Sequence, residues 1–151
     1  MINYFNFKSM TSDDLQKKIF WAGGFFYNED AGKVLLHKRD NNTKVNPGRW
    51  AFFGGTNEGD ESPVDTFIRE IYEELNVSLK KESVIELCNY LNEERMTWRN
   101  VFFVKNKLDK SEMKLQEGAD FEWVSLSDVF GLDLTELTIR DLKFFREICL
   151  I

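Results

Sequence analysis

Residues 62–77, SPVDTFIREIYEELNV, contain the instructions for a helix and for both of its ends. Val64, Phe67, Ile68, Ile71 and Leu75 recur at the i, i+3, i+4, i+7, i+11 spacing of one buried stripe, which predicts a helix over 63–75 lying against a core. Ser62 can accept from the first free backbone N–H groups, and Pro63 at the first helical position needs no N–H partner. At the other end Asn76 stands where a left-handed cap is expected. Within this helix Glu70, Glu73 and Glu74 fall at i, i+3 and i+4, placing three carboxylates on one face about 120 degrees from the apolar stripe. Like charges at these spacings cost a few tenths of a kcal/mol each, and their place near the C-terminal end opposes the helix dipole. A hard divalent cation resolves the conflict, because Mg2+ is held by a few carboxylate oxygens together with water and phosphate. An acidic helix face taken alone reads as a solvated surface, so its surroundings have to decide.

The surroundings are strands and turns. Residues 19–27 (IFWAGGFFY) and 33–39 (KVLLHKR) read as two strands joined by the turn-forming NEDAG. The polar DNNTKVNPG reads as a surface loop, and RWAFFGG as a short strand ending at a glycine pair. Residues 83–91, 97–105 and 120–125 read as further strands. A second helix is predicted over about 138–149, with Leu142, Phe145 and Cys149 on one stripe. No repeat, low-complexity tract or interdomain linker interrupts the 151 residues, so one domain, 1–151, is expected. The order of elements predicts an α/β (α+β) chain with a mixed β-sheet between helices.

Apolar residues at 42 per cent and charged residues at 30 per cent are the composition of a globular protein. The net charge of -6 argues against a footprint for duplex nucleic acid, although it leaves an anionic ligand open, since a metal ion reverses the local sign. No apolar run reaches the roughly 18 residues of a membrane span, and MINYFNFKSMTSDDLQKK lacks the layout of a signal peptide. A cytoplasmic protein is therefore expected. Cys88 and Cys149 lie in apolar stretches without CxxC spacing and read as reduced, buried thiols.

The run from Gly55 to Val77, GTNEGDESPVDTFIREIYEELNV, resembles the Nudix box. That pattern is a glycine, five residues, a glutamate, seven residues, then Arg-Glu-aliphatic-any-Glu-Glu-any-Gly-aliphatic. Gly55, Glu61, Arg69, Glu70, Ile71, Glu73, Glu74 and Val77 fall in register, and Asn76 replaces the last glycine. So long a pattern is specific, and the chain is similar in layout to the MutT-like Nudix hydrolases over roughly 19–145. The resemblance implies the Nudix fold, a mixed β-sheet sandwiched between helices (α/β/α), and hydrolysis of a nucleoside diphosphate linked to a group X. It implies Mg2+, with Mn2+ as the other cation, held by Glu70, Glu73 and Glu74 with the Gly55 carbonyl as an extra ligand. Arg69 and Glu61 would hold the site in shape. The general base would be Glu117, in the late acidic loop LQEGADFEW, with Glu112 and Asp120 as fallbacks and Glu70 as the choice within the box.

For substrate binding, relatives often present a basic residue where Arg39 stands, with Arg49 a weaker second. Strand alternation sends Trp50 and Phe52 to one face and Phe53 to the other, so Trp50 and Phe52 are candidates for stacking on a base. His37, the only histidine, reads as structural. GxSxG and Walker patterns are absent, and Gly23-Gly24 makes no phosphate loop.

Substrate choice rests on the loops around 40–49, 92–97 and 107–120. ADP-ribose hydrolases of the family usually carry a proline downstream of the box, whereas the prolines here are Pro47 and Pro63. Coenzyme A and NADH signatures are not seen, and DLTELTIRD offers no asparagine of the kind found near the last helix of enzymes acting on oxidised purine triphosphates. The leading expectation is a nucleoside or deoxynucleoside triphosphate or related small nucleotide. A nucleotide sugar is the second, and a Nudix-fold ligand sensor without catalysis is the reading from another class. A homodimer is left open.

Overall fold

A computed structural model describes residues 19–149, with the side chain of Cys149 also outside the described part. The leader question at residues 1–18 and the Cys149 end of the second stripe therefore lie outside the described residues. Seven strands form one mixed sheet: β1 (Phe20–Asn28), β2 (Lys33–Lys38), β3 (Trp50–Ala51), β4 (Phe53–Thr56), β5 (Val84–Asn92), β6 (Thr97–Lys105) and β7 (Asp120–Ser125). Among the described residues two α-helices accompany them, α1 (Pro63–Leu75) and α2 (Glu136–Cys149). No helix among the described residues is long and apolar enough to cross a membrane.

The central strands read as nearly unbroken apolar runs because both of their faces are covered. Along β1, Phe20, Ala22 and Phe26 join a core cluster with Phe67, Ile71 and Leu75 of α1. The alternate residues Phe25 and Tyr27 join a second cluster with Leu142 and Phe145 of α2. The parallel neighbour β6 divides in the same way, Phe102 and Val104 to the first cluster, Val101 and Phe103 to the second. Strand alternation thus builds the α/β/α layering expected from the sequence.

The bounds of α1 are those predicted, and Ser62 Oγ accepts from Asp65 N at 3.2 Å. Asn76 is left-handed, with φ 57 and ψ 35 degrees, and its N–H donates to the Tyr72 carbonyl at 2.9 Å. Helix α2 starts at Glu136, two residues before the predicted start, and buries Leu142 and Phe145.

The strand expected over 49–55 is broken at Phe52, and the reason is a fork in the sheet. Strand β2 pairs with β1 only through Lys33, Val34 and Leu35. Beyond that point the two separate: Trp21–Gly24 of β1 take β4 as partner, while His37 and Lys38 of β2 take β3. The chain crosses from one prong to the other, so no single straight strand could pair with both. The far edge of β2 is covered by β7. Trp50 also receives the chain ahead of α2: Trp50 N donates to the Asp133 carbonyl at 2.8 Å and Thr135 N donates to the Trp50 carbonyl at 2.9 Å. The first turn of α2 is thereby set beside the fork.

Candidate active site

The carboxylates of α1 do not share one environment. Glu70 and Glu74 are buried, with 8 and 4 per cent of their surface exposed, and face β4. The Glu73 side chain is 48 per cent exposed. Glu74 Oε2 accepts from Gly54 N at 3.0 Å. The Glu70 carboxylate lies where a side chain at Gly55 would be, with Oε1 2.3 Å from an ideal Cβ position. A Cβ at Gly54 would fall 2.5 Å from the Gly23 Cα and 2.6 Å from the Ala22 carbonyl oxygen, with the Trp21 indole at 2.7 Å. Each of the two glycines is thus required by a close approach.

Arg69 organises the acidic side. Its Nε and Nη2 donate to the two oxygens of Glu61 at 2.8 and 3.0 Å, a two-pronged contact. Nη2 also donates to the Thr56 carbonyl at 3.0 Å, while Nη1 reaches Glu70 at 3.1 Å and Glu73 at 3.2 Å. The Arg69 contact is the main reason that Glu61 is held below its ordinary range. The opposite holds deeper in: burial pushes Glu70 up, and burial followed by repulsion from Glu70 pushes Glu74 well above the usual carboxylate value. One guanidinium serves Glu58, Glu61, Glu70 and Glu73, which leaves the cluster short of positive charge.

Among the described residues, no three Asp, Glu, His or Cys side chains converge on one point as they stand. Arg69 Nη1 bonds to both Glu70 and Glu73, so bringing Glu73 to a shared ion would require it to leave that contact. In donor chemistry the residues fit a hard divalent cation, since they offer buried carboxylate oxygens in deficit of charge.

His37, read from the sequence as structural, lies against this cluster. It stacks on Phe53 with ring centroids 5.1 Å apart and sits 4.0 Å from Glu74 Oε1, too far for a hydrogen bond. Burial lowers its pKa, and its Nε2 stands 2.9 Å from the Glu117 carbonyl. A carbonyl only accepts, which places the proton on Nε2. Gly118 is the residue that lets the loop come this close, because a Cβ there would fall 1.8 Å from His37 Nε2. The Glu117 side chain is exposed, and its charge contributes to the raised pKa of both Glu70 and Glu74. The fallbacks are engaged elsewhere: Glu112 accepts from Asp109 N at 2.8 Å and Asp120 from Phe121 N at 2.8 Å.

The fork opens into a cleft of about 630 Å³, within the range of small-molecule sites. Glu74, His37 and Gly54 line one part of it, and Arg39, Lys44, Arg49, Arg95 and Arg99 bring cations to its walls. Arg39 Nε donates to the Val45 carbonyl at 2.9 Å, which ties the 40–49 loop to the end of β2. Arg49 donates to Asp133 at 3.2 Å and to the Leu134 carbonyl. Loops 40–49 and 92–97 both contribute lining residues. Phe52, a buried member of the second core cluster, lines the cleft with Trp21, whereas Trp50 packs against that cluster without lining the cleft. Trp21 and Arg99 carry no local signal, since a tryptophan in an apolar strand reads as core and an arginine in a strand as surface.

A mixed sheet between helices, forked over a cationic cleft with a carboxylate-bearing helix at its edge, defines the class of protein. The chain belongs to the Nudix hydrolase family: the family model of the NUDIX domain matches residues 21–148. Among solved structures, the MutT protein from Methanosarcina mazei Go1 is similar at 28% identity, with 85% of this chain and 94% of that one covered and a TM-score of 0.65. The NUDIX domain of Shewanella oneidensis NrtR complexed with ADP ribose shares the fold at 20% identity, with 97% and 98% coverage and a TM-score of 0.66. A bifunctional NMN adenylyltransferase/ADP ribose pyrophosphatase from Francisella tularensis, complexed with AMP and Mn ion, does so at 21% identity. There the match covers 89% of this chain and 42% of that one, with a TM-score of 0.70. No curated protein matches the chain.

Proposed function

We propose that this protein hydrolyses the diphosphate linkage of a nucleoside diphosphate linked to a further group, with a nucleoside or deoxynucleoside triphosphate as the leading substrate. One observation carries the reading: buried, charge-deficient carboxylates of α1 adjoin a cleft whose walls bear five Arg and Lys side chains. A polyphosphate matches the cations, and a divalent ion between it and the carboxylates matches both.

Glu70, Glu73 and Glu74, with the Gly55 carbonyl, would hold Mg2+ or Mn2+. When bound, such an ion neutralises charge on the phosphates and lowers the pKa of an attacking water. Arg69, anchored on Glu61, orients Glu70. Glu117 takes the proton from water as general base, its loop held by the Nε2–H of His37, and Glu70 is the alternative for that role. Arg39 engages phosphate oxygens, and Phe52, which lines the cleft, stacks on the base; Trp50, packed against the core, is set aside from that role. A cytoplasmic setting supplies both nucleotide and Mg2+. A nucleotide sugar is the second substrate class.

The test is a panel of nucleoside triphosphates and nucleotide sugars with Mg2+ or Mn2+, scored for released phosphate, pyrophosphate or nucleoside monophosphate. Turnover of one class supports the reading and names the substrate. A folded, metal-loaded protein that cleaves none of them would instead be a ligand sensor.

A further inference from the structure

Arg99 is an arginine in the middle of a buried strand, with 8 per cent of its surface exposed, and it lines the cleft. Its Nε donates to Asp141 Oδ2 of α2 at 2.9 Å, and the other Asp141 oxygen accepts from the Tyr90 hydroxyl at 2.7 Å. The guanidinium carbon lies 4.0 Å over the Trp21 ring and 5.9 Å from the centre of Phe52. Trp21 is itself fixed, because its indole fills the space that side chains at Gly23 and Gly54 would occupy. Among the described residues, the two terminal nitrogens of Arg99 make no hydrogen bond to protein.

A buried ion pair of this kind is a poor way to gain stability, since desolvating both charges offsets their attraction. Asp141 shows the cost: burial pushes its carboxyl up despite the arginine beside it. What the arrangement does achieve is a planar fork with its direction set at Nε by Asp141, its face supported by Trp21, and its two end donors left over. We propose that Arg99 is the specificity-determining residue of the cleft and selects a base that presents two adjacent hydrogen-bond acceptors on one edge. Guanine and hypoxanthine do so through O6 and N7, and cytosine through O2 and N3. Adenine places an amino donor next to N7, and uracil separates its two oxygens by an N–H, so neither matches the fork. The inference rests on the nucleotide reading of the cleft but not on turnover.

The experiment is titration calorimetry of the wild-type protein with GMP, IMP, CMP, AMP and UMP in Mg2+ buffer, together with 7-deaza-GMP and 3-deaza-CMP. These monophosphates contain no diphosphate, so binding is read even if no substrate is cleaved. The expected result is that GMP and IMP, or CMP, bind at least about tenfold more tightly than AMP and UMP. The deaza analogue of the preferred base should lose most of that advantage, and the purine and pyrimidine arms identify which base is read. In Arg99→Lys the preference should shrink to within about threefold, because an ammonium cannot make the planar two-pronged contact. Equal binding of all five, a preference for AMP or UMP, no binding at millimolar concentration, or an Arg99→Lys variant with unchanged preference would each overturn the proposal. Should that variant fail to fold, the deaza comparison on the wild-type protein decides alone.

Discussion

Glu74 concentrates the tension in this molecule: a carboxylate with 4 per cent exposure, one backbone N–H donor, and three other carboxylates, Glu70, Glu117 and Glu73, in its field. Its native pKa is raised well above the ordinary 4.5, so folding favours the neutral acid. The sign follows directly. The stability contributed by a raised carboxyl is complete below pH 4.5 and is lost as pH climbs through the native value. The metal-free protein should therefore melt at a higher temperature near pH 5 than near pH 8, with Glu70, also raised, adding to the slope. In Glu74→Gln, melted in EDTA across the same range, that slope should flatten, and a slope equal to the parent's would place its origin elsewhere. Arg69 and Glu61 act in the other direction, since Glu61 is held low and favours the folded state at neutral pH. The Glu61 side chain is 21 per cent exposed, so water screens part of this effect.

The elements differ in how far the sequence reveals them. Helix α1 was legible to the residue, because Ser62, Pro63 and Asn76 mark its ends through contacts made within one turn. The same local logic predicts that Asn76→Gly changes stability by no more than about 1 kcal/mol and leaves activity within a few-fold, both residues being suited to φ 57 degrees. A large loss of metal binding in that variant would mean that the asparagine side chain has a further role. The break between β3 and β4 was not legible, because it depends on β1 and β2 parting, which no stretch of RWAFFGG encodes. Helix α2 was visible through its stripe but not its start, which is set by the Trp50–Thr135 contact. Phe145 is the peg of that helix, with its ring 5.0 Å from Phe25 and Tyr27 and 5.1 Å from Phe103. Phe145→Ala should cost about 3–5 kcal/mol in chemical denaturation. A loss below about 1 kcal/mol would show that α2 contributes little to the core.

At the scale of the whole molecule, the site is the place where the sheet's fork, helix α1 and the loop after residue 112 meet. The box residues Glu61, Arg69, Glu70, Glu73 and Glu74 could be found in the sequence because they lie within fourteen positions of one another. His37 could not, since its partner carbonyl is 80 residues away, nor could Arg99, whose partner Asp141 is 42 residues away. Long-range pairs of this sort leave no periodicity for one sequence to display. The central claim joins the buried carboxylates to phosphate chemistry through a divalent ion. Its most direct test is the single-turnover rate on the best nucleotide substrate, for the parent and Glu74→Gln, with Mg2+ and with EDTA, beside melting of both. The parent should turn over only with metal and gain melting temperature from it, because a ligand stabilises the state that binds it. Glu74→Gln should melt no lower than the parent in EDTA, gain less from Mg2+, and lose rate by orders of magnitude. Full turnover in EDTA, or a Glu74→Gln variant with near-normal rate and an undiminished Mg2+ shift, would contradict the account.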